Sequence, residues 1–370
     1  MKIQCHRPTL SAAFQVVSGV VPARTPKDIL KNVKLDVGDG VATLSATDSE
    51  VGIRYELEGV EIERGGTTLL PTARLLAILR EVQDNAVLLE LRDDGLLVRC
   101  GSSEFRLQAA DPIEFPPVPG FDAVAYHVLS GAVLKEAVRR TVFATDVEST
   151  RYALGGVLME RDGDTVTLAA TDSRRLAVMK IIGRAEGDPA GGNAAPVIPS
   201  KAMSLLERSI TEDSEDVLIA IQANDALVKC GPATISCRLV EGRFPRYRDV
   251  IPTSSNASIN LVVSSFLSAV RQAQIVTNDE SRGVDFAFRP GSLTLESQAA
   301  DVGRSTVELP ISYEGKDIII TFDPRFVAEY LRVLEPESSV RLDLIDAESA
   351  AVFRTEDGYT YVIMPLSRDR

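Results

Sequence analysis

The constraint that most limits how this 370-residue chain can fold is a threefold internal repeat. VATLSATDS begins at Val41, TVTLAATDS at Thr165, and SLTLESQAA at Ser292 holds the same place in a third copy. Before each comes a helix-like segment: TLSAAFQVVSGVV from Thr9, LKEAVRRTVFATD from Leu134 and FLSAVRQAQIVTND from Phe266. After each comes a second helix entered through a strand and a turn (TLLPTARLLAILREV, PVIPSKAMSLLERSI, IIITFDPRFVAEYLRVL), then a set of alternating strands. Self-similarity at a fixed period means repeated supersecondary units rather than one irregular core. The units run over 1–124, 125–252 and 253–370. Each holds two helices and many antiparallel strands, so the expected class is α+β. Val217, Ile219 and Ile221 show the alternation that gives a strand one buried face.

Proline-rich connectors mark the joins, FPPVPG at 115–120 and RFPRYRDVIP at 243–252, because proline and the residue before it resist helix. GDPAGGNAAP at 187–196 reads as a surface loop inside the middle unit, and Asp94-Gly95 and Asp357-Gly358 suit tight hairpins. With 45% apolar and 25% charged residues the composition is that of a soluble globular protein. No apolar run of spanning length occurs and MKIQCHRPTL has none of the apolar stretch of a leader, so the expected compartment is the cytoplasm, with no membrane partner. Cys5, Cys100, Cys230 and Cys237 form no C-x-x-C pair and read as buried thiols rather than metal ligands.

No catalytic constellation emerges. G-x-S-x-G, the P-loop, G-x-G-x-x-G after a strand and H-E-x-x-H are all absent, and only His6 and His127 are present. RDGD at 161–164 lacks the later ligands of a calcium loop and reads as a hairpin tip. Asp48 and Asp172, at equivalent repeat positions, are candidates for a scattered-carboxylate hydrolase; the competing reading is that each holds a turn by accepting backbone N–H bonds. A monomeric three-domain adhesin or scaffold is a third reading.

The net charge of −13 argues against a nucleic-acid partner until its distribution is seen. The six helix-like segments (7–24, 72–83, 131–144, 200–210, 264–276, 323–334) hold twelve Lys or Arg against five acids, a balance of +7, which leaves −20 for the remainder. Gathered on one surface, such helices would make a positive track for a phosphate backbone. Without aromatic interleaving or a recognition pattern the contact would be sequence-independent.

These features together with six phrases resemble the bacterial replicative sliding clamp, the β subunit of DNA polymerase III. The phrases are the opening around Ser18, Gly19 and Arg24; TRYALGGVL at 150–158; ATDSRRLAV at 170–178; EGRFPRYRDVIP at 241–252; SRGVDF at 281–286; and YVIMPL at 361–366. The likeness covers essentially the whole chain. It implies three tandem DNA-clamp domains, helices lining the inside and antiparallel sheets outside, closed head to tail as a homodimer ring of six domains around duplex DNA. Ring closure separates a clamp from the monomeric scaffold. The likeness implies no enzyme activity and no metal or cofactor. Its partners would be the replicative polymerase, the clamp loader, and translesion and repair proteins.

By the same resemblance, Leu154, Thr171, Ser173, Arg174, Arg175, Leu176, Pro245, Val250, Val362, Met364, Pro365 and Leu366 would line a groove for partner peptides. DNA contacts would fall to Arg24, Tyr152 and Lys201, with Arg151 nearby. The basic helices add Arg80, Lys135, Arg139, Arg208 and Arg271. At the ring joint Phe105 and Leu107 would meet Ile275 and Val276. The chain departs from the family's habits at Ser173-Arg174, where Gly-His is common, and at Asp249 and Glu148. Glu104 and Arg304 stand where the opposite charges are usual, which predicts a reversed ion pair across the joint. The SRDR tail could lie over the groove.

Overall fold

A computed structural model describes residues 1–149, 153–187, 195–211 and 216–367. The helices are α1 (Arg7–Ser18), α2 (Thr72–Glu81), α3 (Gly131–Arg139), α4 (Ser200–Ser209), α5 (Val263–Gln274) and α6 (Pro324–Arg332). Proline marks four of these starts: Pro8 and Pro324 stand in the first turns of α1 and α6, while Pro71 and Pro199 end the strands that lead into α2 and α4. α6 is also capped by Asp323, whose carboxylate accepts from the Arg325 N–H.

Three helices are shorter than their periodicity predicts. α1 ends at Ser18 instead of continuing to Arg24: Val20 and Val21 bond back three residues in a tightened turn, and Pro22 both lacks an N–H and bars helix from the residue before it. Arg24 therefore sits in an exposed bend. α3 ends at Arg139, and Arg140 is buried beneath ion pairs to Glu136 and Asp357 rather than displayed on a helix face. α5 stops at Gln274, leaving Ile275 and Val276 in the segment after it. With these bounds every helix carries a net charge of +1.

By backbone packing the chain divides into two compact units, Met1–Lys135 with Ile182–Leu239, and Glu136–Ile181 with Val240–Arg370. The division cuts the middle repeat because sheets continue across the repeat joints. In the first unit, strand Val51–Leu57 pairs antiparallel with Ala233–Arg238. In the second, the start of Arg175–Glu186 pairs with Thr360–Ile363 in the same way.

The first unit has two antiparallel sheets, one running 61–64, 2–6, 86–92, 95–100, 103–107 in spatial order, the other 126–130, 216–221, 225–230, 233–238, 51–57, 41–47, 32–38, 66–71. Ser103–Leu107 is an edge. The second unit holds 257–262, 339–344, 351–354, 360–363 and 175–178 in one sheet and 303–310, 292–299, 284–289, 318–322 in another, whose outer edge is Gly303–Pro310. Its core is an aromatic cluster in which Tyr330 stacks on Tyr361 at 4.7 Å and packs against Phe353. The cysteines are buried and unbridged. RDGD lies at the tip between strands Gly156–Asp162 and Thr165–Thr171.

Candidate docking pocket

The Ala-Thr-Asp-Ser phrase is a turn, built the same way twice. Asp172 Oδ1 accepts from the N–H groups of Arg174 and Arg175 at 3.0 Å each, the Thr171 hydroxyl donates to the Arg175 carbonyl, and Ser173 N–H donates back to Thr171 Oγ1. In the first copy Asp48 takes Glu50 and Val51, Thr47 donates to the Val51 carbonyl, and Ser49 N–H bonds Thr47 Oγ1. Ser49 and Ser173 both sit at positive φ, 85° and 74°. Both carboxylates are thus spent on Asx-turns.

In the second unit this turn forms one wall of a cavity of about 450 Å³. Thr171, Ser173, Arg174, Arg175 and Leu176 supply that wall. The connector adds Arg243, Phe244, Pro245, Arg246, Tyr247 and Val250, and the last strand adds Val362 and Met364. The register explains the company: Leu176 pairs with Val362, and Met364 N–H donates to the Arg174 carbonyl at 2.8 Å. Phe244 and Tyr247 anchor the connector edge to face at 6.1 Å, and the Tyr247 hydroxyl donates to Glu160 at 2.7 Å. Burial, then the neighbouring Glu160 carboxylate, pushes the Tyr247 phenol well above its ordinary range. Val250 and Met364 stay 53% and 45% exposed, so two large apolar side chains face the open groove uncovered.

Arg175 is the buried brace of the pocket. Its guanidinium donates to Asp172 at 3.0 Å and to the Phe143 carbonyl at 2.8 Å, pairs with Glu329, and lies over the Phe326 ring at 4.4 Å. Burial works against its charge; Tyr361, Glu329 and Asp172 outweigh that and push its pKa above the ordinary value. Arg174 packs over Phe326 at 5.5 Å with no carboxylate partner among the described residues.

Of the twelve residues expected in the groove, nine line it together. Leu154 is buried, its carbonyl accepting from Asp146 N–H, and Leu366 N–H donates to the Thr321 carbonyl; neither they nor Pro365 are on the lining. Arg243, Phe244, Arg246 and Tyr247 line it without having been expected. Their signal was the connector RFPRYRDVIP itself, which reads as a linker because proline-rich segments usually space domains.

The expected DNA residues differ in how they are held. Arg24, Arg80 and Arg271 are exposed, and among the described residues no carboxylate partner is found for them or for Arg208, which donates to the Ser204 carbonyl. Lys135 is tied to the Ile210 carbonyl, Arg139 to Glu136 and the Val333 carbonyl, and Lys201 to Asp48 and the Val20 carbonyl. Arg151 and Tyr152 lie outside the described residues, as does most of the tail. At the expected joint, Phe105 and Leu107 are half-buried on an edge strand and Ile275 is exposed. Glu104 pairs with Arg99 at 2.8 Å and Arg106 at 3.3 Å, and Arg304 with Glu296 at 3.3 Å, so each has a partner within its own chain. Among the described residues no group of His, Cys, Asp and Glu could hold a metal, and no helix is long and apolar enough to cross a membrane.

The described residues thus form a thrice-repeated α+β scaffold whose second unit carries an open, largely apolar groove. Family models of the DNA polymerase III β subunit match the chain throughout, the N-terminal domain over 1–119, the central domain over 128–246 and the C-terminal domain over 248–367. The β sliding clamps of Chlamydia muridarum and Streptomyces coelicolor are each 30% identical to it, over 99% of this chain and 99% of theirs. A solved sliding clamp from Bartonella birtlesii, bound to griselimycin, is 28% identical with a TM-score of 0.89 over 100% of both chains. The chain belongs to the bacterial β sliding clamp family. Its three α+β domains are clamp domains, and the family's function is polymerase processivity and the tethering of partner proteins.

Proposed function

We propose that two copies close head to tail into a ring of six domains around duplex DNA, and that the pocket tethers its partners by short peptides. The observation that carries this reading is the pocket: a preformed groove with Leu176, Val250, Val362 and Met364 on its walls suits a peptide with one or two apolar anchors. Polymerase, clamp loader, translesion and repair proteins would compete for it. Nothing in the arrangement needs turnover or a cofactor; the mechanism is topological, and the compartment is the cytoplasm.

Two long edges support the ring. Ser103–Leu107 and Gly303–Pro310 each end a sheet, and an exposed edge of alternating half-buried residues invites another strand. Pairing one chain's first edge with its partner's second would cover both, with Phe105 and Leu107 against Ile275 and Val276. Because Glu104 and Arg304 are already paired within the chain, their reversed bridge would be an exchange of partners. Single charge reversals should each weaken the dimer and the double reversal restore it. The helices, each at +1, would face DNA through Arg24, Arg80, Arg208 and Arg271, leaving Lys135, Arg139 and Lys201 as orienting groups.

Scattering and peptide binding test the two halves together. Small-angle scattering should give twice the chain mass and a hollow ring. Leu176→Ser with Met364→Ser should leave that ring intact and abolish binding of an apolar-anchored peptide. A monomer at every concentration removes the ring, and unchanged affinity removes the pocket.

A further inference from the structure

A second cavity, of about 370 Å³, lies in the same unit, lined by Pro252, Thr253, Ser254, Ser255 and Ser258 and by side chains of the sheet next to them. Its floor holds an unusual pair. Arg341 and Arg354 stand directly opposite each other on adjacent antiparallel strands, an arrangement that is destabilising for like charges unless something negative lies between them. One carboxylate, Asp343, serves both, at 3.3 Å from each guanidinium Nε, and it also accepts from the Ser258 hydroxyl at 2.7 Å. The local balance is therefore +1 in a chain of net −13. Donors are left over: among the described residues the terminal nitrogens of Arg341 have no acceptor, and the hydroxyls of Thr253, Ser254 and Ser255 make no hydrogen bond. Guanidinium forks and hydroxyls are the donors that recognise oxyanions.

The cavity also has an address. Val352 on its floor pairs directly across the strands with Val362 on the wall of the docking pocket, so the two cavities border each other on one sheet face. We propose that the Arg341–Arg354 cavity is an anion subsite of the docking pocket, taking an acidic side chain of the partner peptide that flanks its apolar anchors. The inference rests on the pocket being the peptide site. It adds a second determinant: apolar anchors fix the peptide, and a carboxylate a few residues away relieves the cross-strand arginine pair.

Three fluorescent peptides share one apolar anchor and carry a neutral, a triglutamate or a trilysine flank; each is titrated by fluorescence anisotropy against the full-length protein. The glutamate flank should bind about tenfold more tightly than the neutral one and the lysine flank more weakly. Arg341→Gln with Arg354→Gln should erase the glutamate advantage and leave the neutral peptide's affinity where it was. Ser254→Asp, an exposed change at the cavity lip, should erase it too, which guards against a folding defect in the double variant. Inorganic phosphate at constant ionic strength should compete with the glutamate flank alone. An advantage that survives both variants, or survives phosphate, assigns the preference to Arg174 and Arg243 and overturns the subsite. If none of the three peptides binds, the failure belongs to the docking pocket itself.

Discussion

The first unit contains the same crevice as the second, built from equivalent parts, and the two differ almost only in their walls. In both, the Thr-Asp-Ser turn leads into a strand that meets a strand of the following repeat. Met364 N–H donates to the Arg174 carbonyl at 2.8 Å as Arg238 N–H donates to that of Glu50 at 3.1 Å. In both, a connector runs alongside, Phe115-Pro116-Pro117-Val118 or Phe244-Pro245-Arg246-Tyr247, with its first and fourth residues buried. The cavities are of like size, about 420 and 450 Å³. By register, however, Leu176 is matched by Gly52, Val362 by Ser236, Met364 by Arg238 and Arg174 by Glu50. The apolar groove of the second unit is a more polar crevice in the first, with Glu50, Asp122 and Asp225 set against Arg238. The scaffold makes crevices; on the proposed reading, these four matched positions set which one suits a hydrophobic peptide.

Exchanging the matched residues breaks this comparison most sharply. Leu176→Gly empties a buried position and adds the flexibility of glycine within a strand, so it should cost roughly 3–5 kcal/mol in urea unfolding and remove peptide binding. Gly52→Leu fails for the opposite reason. A Cβ there would lie 2.8 Å from Val118 Cγ1 and 3.0 Å from the Ser236 hydroxyl, so the connector must give way at a cost of about 1–3 kcal/mol. Peptide affinity should not change, because the docking pocket is elsewhere. If Gly52→Leu is silent in stability, the two connectors are not held alike.

The two aspartates offer a gentler test. Asp→Asn keeps the oxygen that receives the turn N–H groups and removes only the charge. Burial opposes ionisation of Asp48, but Lys201 and the Val51 and Glu50 N–H groups outweigh it and hold the carboxyl below its ordinary value. A depressed carboxyl gives stability that is complete above its unfolded pKa of ~4 and is lost as pH falls through the folded value. Wild-type stability should therefore fall more steeply than that of Asp48→Asn on acidification below pH ~4. At neutral pH the variant should cost about 1–2 kcal/mol. Peptide affinity should ignore Asp48→Asn and drop about fivefold for Asp172→Asn, whose lost partner is Arg175, the brace of the pocket. Equal binding by both variants would show that the brace does not need its carboxylate.

The parts of this molecule fixed by short-range spacing were legible in the sequence. The hairpin tips, the aspartates as turn acceptors and the existence of six helices all depend on residues within a few positions of one another, and the threefold order is those short patterns recurring along the chain. Helix ends were less legible, because the helical pattern of α1 continues past Ser18 until Pro22 overrules it. The groove was only partly legible for the same reason of range. Leu176 and Val362 meet by strand register, and Tyr247 is locked by Glu160, 87 residues away. The expectation that these nine residues share a cavity came from family resemblance; no local pattern in the chain distinguishes YVIMPL as a cavity wall from a buried last strand. The arginine pair over Asp343 was invisible for a simpler reason: Arg341 and Arg354 become opposite only once their strands pair.

The smallest expected effect tests whether the two turns really are one device. Ser49 and Ser173 hold φ of 85° and 74°, where an L-residue pays roughly 1–2 kcal/mol against the carbonyl that follows it. Among the described residues neither hydroxyl is used, since each turn takes the serine's backbone N–H. Glycine removes the clash but gives the unfolded chain more freedom to lose, so each Ser→Gly should gain only about 0.5 kcal/mol. The measurement is the urea midpoint with its slope unchanged, and the double variant should show the sum of the two gains. Equal increments mean that the repeat preserved one strained turn and that function diverged around it. A gain at Ser49 alone would mean that the neighbours of Ser173, Arg174 over Phe326 and Arg175 against Glu329, hold the second turn in place through contacts that glycine loosens. In that case the docking pocket would be shaping its turn, rather than the turn its pocket.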